Sequence, residues 1–577
     1  MMAPEAGRPL GEGAVEKRFW HSYYDKRVPS SLDYPSVPLH RILDDTAGKF
    51  PGRTAISFLG KSISYKQLRI YSDAFSRGLV RLGVKKGDRV ALYLPNVPHM
   101  VIGYFGALKA GAITVPTNPL YTERELLYQV KDSGSKVLVT LDLDITLSKV
   151  KAVKEAAGLD RIVVGRVSDF LPFPKNLLYP LVKKKDLVDV PKDEAYITFE
   201  DLLSESGTGA PEAGAKPEDA AVLMYTGGTT GVSKGAILTH RNLIANALQT
   251  YCWASSGEMS DTPQVSALVV LPLFHSFSMT VCMNHGIMRG ARLILFPTRP
   301  KPDLSDLLAT IQKERPQLLP GVPTLYTAMA NNPNVQRYKI DSIKVCNSGA
   351  APLPVEVLHR FEAITGSRII EGYGLSESSP VATCNPLEGE RKAGSIGLPV
   401  SDTDIRIVDQ EGGEKDVLQG QAGEILIRGP QVMAGYWNRP DETAKSLRDG
   451  WLYTGDIAWM DEAGYLFIVD RKKDMIITGG FNIFPREVEE ILYEHPKVLE
   501  AAVIGLPDPR SGERLKAFVV LKEGQEATAE EILAFCREKL TAYKVPKAIE
   551  FRKELPKSNI GKLLRRALRD EESAKRG

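Results

Sequence analysis

The sequence predicts an α/β fold: a large N-terminal domain of mixed sheets flanked by helices, followed by a small α/β C-terminal domain. The chain has 577 residues, and a single core stops growing at about 250–300 residues, so more than one domain is expected. Apolar runs of strand length alternate with helical patterns, which indicates parallel sheet with crossover helices. A charged tract at residues 470–474 separates two such regions, as a hinge between two cores would.

We predict an N-terminal arm at residues 1–35, a large domain at 36–470 and a small domain at 471–577. The arm is mixed in composition and rich in Gly and Pro. The large domain carries alternating strand and helix patterns, and one helix begins with a capping box at residues 122–125. In the small domain, two amphipathic helices and two apolar strands indicate a separate α/β unit.

Composition and charge exclude several classes of protein. A net charge of +3 gives no broad basic field, so a nucleic-acid partner is not expected. Five cysteines stand singly, without the C-x-x-C pairs of zinc or redox sites, which favours a reducing, cytoplasmic compartment. The N-terminus lacks the apolar region of a signal peptide, and no run approaches the roughly 18 apolar residues of a spanning helix. Peripheral contact with the inner face of a membrane stays open.

Residues 166–195 interrupt the alternation of strands and helices. Within this segment, residues 170–185 combine aromatic residues and prolines with a basic cluster that ends in Lys183, Lys184 and Lys185. Two interpretations remain: an interfacial segment that rests on anionic lipid, or an inserted loop that packs on the domain.

A glycine-rich loop follows the apolar strand pattern at residues 221–224. Glycines leave backbone N–H groups uncovered, hydroxyl groups add donors and a lysine adds positive charge, so the loop is predicted to hold phosphates. Its members are Thr226, Gly227, Gly228, Thr229, Thr230 and Lys234. Gly235 stands where the common P-loop has the hydroxyl that holds Mg²⁺, so a metal would need another ligand. The alternative is a flexible surface loop.

Other polar clusters fall at predicted strand ends and loops, where sites tend to form. In such places an aromatic ring can stack on a base, a carboxylate can hold Mg²⁺, and a turn carboxylate suits a ribose diol. Taken singly, each residue has a structural explanation that is at least as good. The candidates are His275, Gly349, Ala350, Ala351, Tyr373, Gly374, Glu377 and Asp456.

Together, in order and in spacing, the motifs resemble those of the adenylate-forming enzymes, which include acyl-CoA synthetases, firefly luciferase and the adenylation domains of peptide synthetases. The match covers about residues 36–570, and within the family the chain is most similar to bacterial long-chain fatty acid–CoA ligases. The matching stretches are the glycine-rich loop and residues 371–377, 453–456, 470–474 and 556–562.

The resemblance implies a ligase that joins a long-chain fatty acid to CoA, with ATP and Mg²⁺. A carboxylate attacks the α-phosphate of ATP to give acyl-AMP and pyrophosphate, and the CoA thiol then attacks the acyl carbon and releases AMP. Glu377 and Thr230 would hold the metal. Two alternatives remain, a medium-chain or aryl acid–CoA ligase on the same scaffold and a non-catalytic homologue that binds nucleotide or fatty acid. A homodimer is left open.

The resemblance also implies roles around the nucleotide. The glycine-rich loop would hold the β- and γ-phosphates. Tyr373 and Gly374 would lie against adenine, and residues 349–351 would line its edge. Asp456 would accept both ribose hydroxyls, with Arg471 close by.

The small domain would supply the group that joins the two substrates. Lys562 would bridge the carboxylate and the α-phosphate. The family swings this domain between half-reactions about the position of Lys473, so a mobile small domain is implied. After the swing, Gly479 and Gly480 would border the pantetheine channel, with His275 near the acyl carboxylate.

Overall fold

The computed structural model describes most of the chain. The described residues are 18–226, 233–254, 259, 262–297, 303–409, 413, 415–478, 481–509, 512–558 and 563–575. For residues 481 and 482 it describes the backbone alone. Among the described helices, none is long and apolar enough to cross a membrane.

The α-helices range from 5 to 17 residues in length. In chain order they are α1 (Arg41–Lys49), α2 (Tyr65–Arg81), α3 (Pro98–Lys109), α4 (Glu123–Ser133), α5 (Lys149–Ala157), α6 (Lys175–Val182), α7 (Phe199–Leu203), α8 (His240–Ala254), α9 (His285–Arg289), α10 (Leu304–Glu314), α11 (Pro323–Asn331), α12 (Val355–Thr365), α13 (Pro440–Ser446), α14 (Pro485–Glu494), α15 (Ala529–Lys539) and α16 (Arg565–Ala574).

The strands alternate with these helices in the first half of the chain. They are β1 (Thr54–Phe58), β2 (Lys61–Ser64), β3 (Arg89–Tyr93), β4 (Ile113–Thr117), β5 (Val137–Leu141), β6 (Arg161–Gly165), β7 (Tyr196–Thr198), β8 (Ala220–Thr226), β9 (Lys234–Thr239), β10 (Ser266–Val269), β11 (Arg292–Leu295), β12 (Val345–Ser348), β13 (Arg368–Gly374), β14 (Val381–Cys384), β15 (Leu398–Pro399), β16 (Asp404–Val408), β17 (Gly423–Arg428), β18 (Gly435–Tyr436), β19 (Leu447–Arg448), β20 (Trp451–Met460), β21 (Leu466–Arg471), β22 (Ile476–Thr478), β23 (Phe481–Ile483), β24 (Val498–Asp508), β25 (Gly512–Leu521) and β26 (Ala548–Phe551).

An eight-stranded sheet forms the centre of the large domain, with the order β18-β9-β8-β4-β3-β5-β6-β7. The strands from β8 to β7 pair in parallel, as the alternation of strands and helices predicts. The central strands β4 and β5 are buried along their whole length, because helices cover both faces of a parallel sheet. Strands β8 and β9 pair antiparallel, so the glycine-rich loop joins them as a hairpin.

Three further sheets complete the large domain. Their orders are β10-β11-β1-β2, β12-β13-β14-β15 and β16-β17-β20-β19, and β21 pairs with β20. Strand β12 ends at Ser348, directly before the candidate residues 349–351. The carboxyl end of β13 and the middle of β20 carry several of the candidate residues.

The small domain is built around its own sheet. Strands β23-β22-β25-β24 lie in that order, with β26 beside β25, and helices α14 and α15 cover a separate hydrophobic core. Ile476, Val488 and Val519 belong to this core. The predicted fold class, a large domain of mixed sheets with a small α/β domain after it, is confirmed. The mobility of the small domain stays a prediction.

The described part of the predicted N-terminal arm packs on the large domain. The carboxylate of Asp25 accepts hydrogen bonds from the backbone N–H groups of Leu387 (2.9 Å) and Glu388 (3.0 Å). Asp402 accepts from the Leu32 N–H at 2.8 Å and from the Tyr34 hydroxyl at 2.7 Å. Residues 18–35 are therefore held by hydrogen bonds to residues that lie more than three hundred and sixty positions away in the sequence.

Candidate active site

A cleft of about 1240 Å³ opens between the two domains. Elements of the large domain contribute Thr226 at the end of β8, Tyr373 on β13 and Asp456 on β20. Helix α16 of the small domain contributes Arg565. The fold thus brings together residues that the sequence separates by hundreds of positions.

The predicted phosphate loop spans the hairpin between β8 and β9. The Ser233 hydroxyl donates to the Thr226 carbonyl at 2.8 Å, which closes the base of the loop, and the Tyr128 hydroxyl donates to the Ser233 carbonyl at 2.7 Å. Both Thr226 and Lys234 line the cleft. Four predicted members of the loop lie outside the described residues: Gly227, Gly228, Thr229 and Thr230.

Lys234 has a carboxylate partner that no sequence motif indicates. Its ammonium group forms an ion pair with Glu442 at the start of α13, and it lies 5.4 Å from the centre of the Tyr436 ring. Lys445, three residues along the same helix, pairs with the other oxygen of Glu442 at 2.9 Å. Glu442 therefore orients Lys234 beside the loop.

Glu377 lies on a single helical turn directly after β13 and lines the cleft. The Tyr436 hydroxyl donates to its Oε1 at 2.8 Å. Burial, and next the charge of Glu377, raise the pKa of Tyr436 well above its usual range, so this phenol stays a donor. No group of three or more His, Cys, Asp or Glu residues that could hold a metal occurs in the described part of the chain. A lone carboxylate fits Mg²⁺, which takes its remaining ligands from water and phosphate oxygens.

Asp456 is the centre of a buried polar group on the cleft wall. The Tyr373 hydroxyl donates to its Oδ2 at 2.7 Å, and the Arg471 Nε lies 3.1 Å from its Oδ1. Strands β20 and β21 place Asp456 directly opposite Arg471. Burial, followed by the charge of Asp456, holds the pKa of the Tyr373 phenol well above its usual range. A carboxylate has about four lone-pair sites, so two remain for further donors.

Backbone geometry shapes the wall near Tyr373. Ala350 adopts φ +68°, a left-handed conformation that is uncommon for residues other than glycine and tends to occur at functional sites. A β-carbon on Gly374 would lie 1.7 Å from the Pro380 carbonyl oxygen, so only glycine fits there. Gly349 and Ala351 also line the cleft, and their place along the edge of a flat ring stays a prediction.

His275 lies on the cleft wall beside a π-helical segment, Ser278–Asn284. The backbone N–H of Phe277 donates to its Nδ1 at 3.3 Å. Phe277 also lines the cleft, and its ring lies 3.3 Å from the position of a β-carbon on Gly349. His275 and Gly349, which is predicted to lie along the edge of adenine, are thus on the same wall of the cleft.

The predicted residues of the small domain are described in part. Lys473 lines the cleft, and partial desolvation together with the charge of Arg471 lowers its pKa to about 8. Gly479, Gly480 and Lys562 lie outside the described residues.

The residues that flank Lys562 border the cleft. Lys557 and Leu563 pair as an antiparallel bridge, and the Leu564 N–H donates to the Pro556 carbonyl at 2.9 Å. Ser558 and Leu563 both line the cleft. The two ends of the segment that contains Lys562 are therefore fixed at the cavity.

A cluster of charges joins the small domain to the end of β21. Arg565 lies 2.6 Å from Glu489, 3.3 Å from Asp470 and 3.6 Å from Asp474. Arg569, one turn further along α16, lies 2.8 Å from Asp474. In the sequence, Asp470 and Asp474 belong to the charged tract. No sequence pattern pairs them with Arg565 or Arg569.

Glu371 is a second buried carboxyl in the cleft wall. It is 5% exposed and accepts a hydrogen bond from the Leu353 N–H at 3.2 Å. Burial raises its pKa from 4.5 to about 7, against the opposing effects of the Leu353 N–H and of the Arg486 charge.

Glu371→Gln is expected to stabilise the protein more at neutral pH than in acid. Between pH 4.5 and 7 the folded protein keeps a proton that the unfolded chain has lost, so the free energy of unfolding falls as pH rises through this window. Glutamine has no ionisable proton in this pH range, and its side-chain oxygen can still accept the hydrogen bond from the Leu353 N–H. The difference in unfolding free energy between variant and wild type should grow by about 3 kcal/mol across the window. Urea unfolding at several pH values measures it.

Glu462→Gln is the matched control, because Glu462 is exposed. The difference in unfolding free energy between Glu462→Gln and wild type should stay constant over the same pH range. A flat difference for Glu371→Gln as well would show that Glu371 ionises in the folded protein as it does in the unfolded chain.

Four residues that organise the site are absent from the sequence-based predictions: Tyr436, Glu442, Arg486 and Arg565. A glycine followed by two aromatic residues at 435–437 is a signal that could have drawn attention to Tyr436. For the other three residues, the partners that tie them to the site lie on other elements: Lys234 for Glu442, Glu371 for Arg486, and Asp470 for Arg565. No local sequence pattern indicates these pairings.

Two known family models match successive parts of the chain. The AMP-binding enzyme model matches residues 43–437, and the model for the AMP-binding enzyme C-terminal domain matches residues 487–562. The chain therefore belongs to the AMP-binding enzyme family, and the predicted family is confirmed.

Relatives cover nearly the whole chain. The long-chain-fatty-acid–CoA ligase of Bacillus subtilis (strain 168) is 47% identical over 561 residues, which are 96% of this chain and 98% of the relative. Among solved structures, the anthranilate CoA ligase AuaEII in complex with anthranoyl-AMP has a TM-score of 0.83 at 28% identity and covers 94% of this chain and 98% of its own. ATP-bound MatB from Rhodopseudomonas palustris has a TM-score of 0.81 at 29% identity, with 93% and 99% covered.

Proposed function

We propose that the protein is an ATP-dependent long-chain fatty acid–CoA ligase. The observation that carries the proposal is the convergence of Lys234, Glu377 and Asp456 on one cleft, in a chain that is 47% identical to a ligase of that name. The carboxylate oxygen of the acid forms a bond to the α-phosphorus of ATP, and pyrophosphate leaves. The CoA sulfur then forms a bond to the acyl carbon, its proton is lost and AMP leaves.

The first half-reaction brings a carboxylate anion to a polyanion, so positioning and charge neutralisation dominate its barrier. Lys234 holds phosphate oxygens, and Thr226 lines the cleft with it at the other end of the glycine-rich loop. Lys562 bridges the carboxylate and the α-phosphate with a compact charge on a flexible stem.

Glu377 is the residue that would hold Mg²⁺, with Thr230 as the second predicted ligand. Its carboxylate is oriented by Tyr436 and faces the cleft, and the described residues offer no competing metal cluster. When bound, Mg²⁺ neutralises the phosphate charge that develops as pyrophosphate leaves.

The nucleoside half of ATP is bound by the Asp456 group. The two unused acceptor sites of Asp456 take the ribose hydroxyls, and Arg471 orients the carboxylate through its ion pair. The Tyr373 ring, fixed through its hydroxyl, stacks on adenine, and residues 349–351 line the base edge.

The second half-reaction uses a different arrangement of the small domain. The domain pivots at Lys473, which removes Lys562 from the cleft and brings Gly479 and Gly480 against the pantetheine arm of CoA. His275 stands near the acyl carbon and shapes the approach of the thiol.

Apolar side chains of the cleft form the acyl site. Phe274, Phe277, Val281 and Pro323 line it, and the cavity also reaches Trp253 on α8. A hydrocarbon chain suits this lining, since each buried methylene contributes about 0.8 kcal/mol.

A panel of acids from acetate to oleate, with coumarate and anthranilate, tests the proposal through ATP-dependent pyrophosphate release and thioester formation. We expect kcat/KM to rise with chain length, by up to about fourfold per buried methylene, since 0.8 kcal/mol corresponds to that factor. A preference for an aromatic acid would favour the aryl ligase, in keeping with the anthranilate CoA ligase structure. Release of no pyrophosphate with any acid would favour a non-catalytic homologue.

A further inference from the structure

The connection between β6 and β7 exposes an unusual set of large apolar side chains. Helix α6 and Phe173, two residues before its start, carry this set, which we call the α6 patch. None of the residues of α6 is buried. The patch consists of Phe173 (79% exposed), Leu177 (63%), Leu178 (49%), Leu181 (74%) and Val182 (77%).

The leucines and the valine lie on one side of α6. Leu177 and Leu181 are four residues apart, as are Leu178 and Val182, so their side chains are neighbours on the helix surface. Tyr179 points the other way and packs against the core of the large domain. The helix therefore directs its apolar face outward.

The segment is tied to the domain at both ends. Before α6, Phe170 and Leu171 are buried, and the Phe170 ring lies 4.8 Å from that of His99. After α6, Leu187 forms a bridge with Leu143. The patch is thus an anchored protrusion with a fixed place on the domain.

Lysines surround the patch. Lys175 begins α6, and Lys183, Lys184 and Lys185 follow its last residue, all of them exposed. The nearby Asp186 carboxylate lies 3.4 Å from Lys183. The rim keeps a net positive charge.

We propose that the α6 patch docks on the surface of an anionic phospholipid bilayer. An apolar helical face with lysines beside it inserts into the headgroup region and draws on both apolar burial and attraction to anionic lipid. Strands β6 and β7 form one edge of the central sheet, whereas β8 and β9, which border the cleft, lie toward the other edge. Docking through α6 therefore leaves the cleft open to ATP and CoA.

A second copy of the chain is a poorer occupant of the patch. A stable protein interface takes about 20–30 residues a side, and the patch offers a handful of apolar side chains. A symmetric contact repeats the same residues on both sides, so it would also bring the two lysine clusters together.

Vesicle flotation of the full chain tests the proposal. Wild type should float with vesicles of phosphatidylcholine and phosphatidylglycerol, less with phosphatidylcholine alone, and less at high salt. The double variant Leu177→Glu with Leu181→Glu should lose flotation. Neutralising Lys183, Lys184 and Lys185 with glutamine should weaken binding to the anionic vesicles by about a hundredfold, since each lysine contributes about 1 kcal/mol.

Leu418→Glu is the matched control, because Leu418 is 73% exposed and lies outside the patch. It should float as wild type does. Equal flotation of all variants, or no flotation of wild type, would overturn the proposal. A wild-type dimer that the Leu177→Glu, Leu181→Glu variant converts to monomers would also overturn it, because the patch would then be a dimer interface. Ligation of octanoate in solution separates this inference from the proposed function, since the patch variants should keep that activity.

Discussion

Lys562→Ala is expected to lower the rate of ATP–pyrophosphate exchange by about a hundred- to a thousandfold. Removing one preorganised donor from a developing anion costs about 2.7–4 kcal/mol of transition-state stabilisation. The described residues on either side of Lys562 are held together at the cleft by the Lys557–Leu563 bridge and by the hydrogen bond from Leu564 to Pro556. Exchange measured with a saturating fatty acid reports this half-reaction alone.

The second half-reaction should be spared in the same variant. Thioester formation from supplied acyl-AMP and CoA is expected to stay within about threefold of wild type, which corresponds to less than 1 kcal/mol. The reason is that the proposed pivot of the small domain removes Lys562 from the cleft before the thiol attacks. Lys553→Ala, which removes an exposed lysine of the same region, should leave both steps unchanged. Equal losses in the two half-reactions of Lys562→Ala would contradict a role confined to adenylation.

Asp456→Ala is expected to lower kcat/KM for ATP by about two to four orders of magnitude. In the proposed complex each ribose hydroxyl would donate to the Asp456 carboxylate, and a hydrogen bond to a charged acceptor contributes about 1.5–3 kcal/mol. The wild type should prefer ATP to 2′-deoxy-ATP by about ten- to a hundredfold, and the variant should lose this preference. Steady-state kinetics with the two nucleotides measures both effects.

Tyr373→Phe tests whether loss of the ribose contact, rather than a change in the shape of the cleft wall, explains the effect of Asp456→Ala. It removes the donor at 2.7 Å from Asp456 but keeps the aromatic ring. It should keep the preference for ATP over 2′-deoxy-ATP, with a smaller loss of kcat/KM than Asp456→Ala. If Asp456→Ala discriminated between the nucleotides as wild type does, the carboxylate would not contact the ribose.

Features set by neighbouring residues could be predicted from the sequence. The capping box at Thr122 and Glu125 forms as expected, with the Thr122 N–H donating to the glutamate at 2.9 Å. Its partners are three positions apart, so the pattern and the contact coincide. The antiparallel pairing that sets Asp456 against Arg471 also follows from two neighbouring strands and a short turn.

Contacts between distant elements could not be predicted in the same way. The pairing of Lys234 with Glu442 joins residues 208 positions apart, and that of Glu377 with Tyr436 joins residues 59 apart. A charged or phenolic side chain has many partners of the right chemistry in a chain of this length. Only the sheet order, which places β18 beside β9, selects among them. Local patterns locate the site, and topology decides which side chains orient it.

The end of the chain acts as a brace for the arrangement of the two domains. Both arginines that neutralise Asp470, Asp474 and Glu489 come from α16. A protein shortened at residue 564 would keep every nucleotide contact of the large domain, yet three crowded carboxylates would repel one another at the joint. Its two lobes would keep the Arg471–Asp456 and Lys472–Glu424 pairs but lose the Arg565–Asp470 pair. Helix α16 thus supplies one of several ion pairs that favour the orientation seen here.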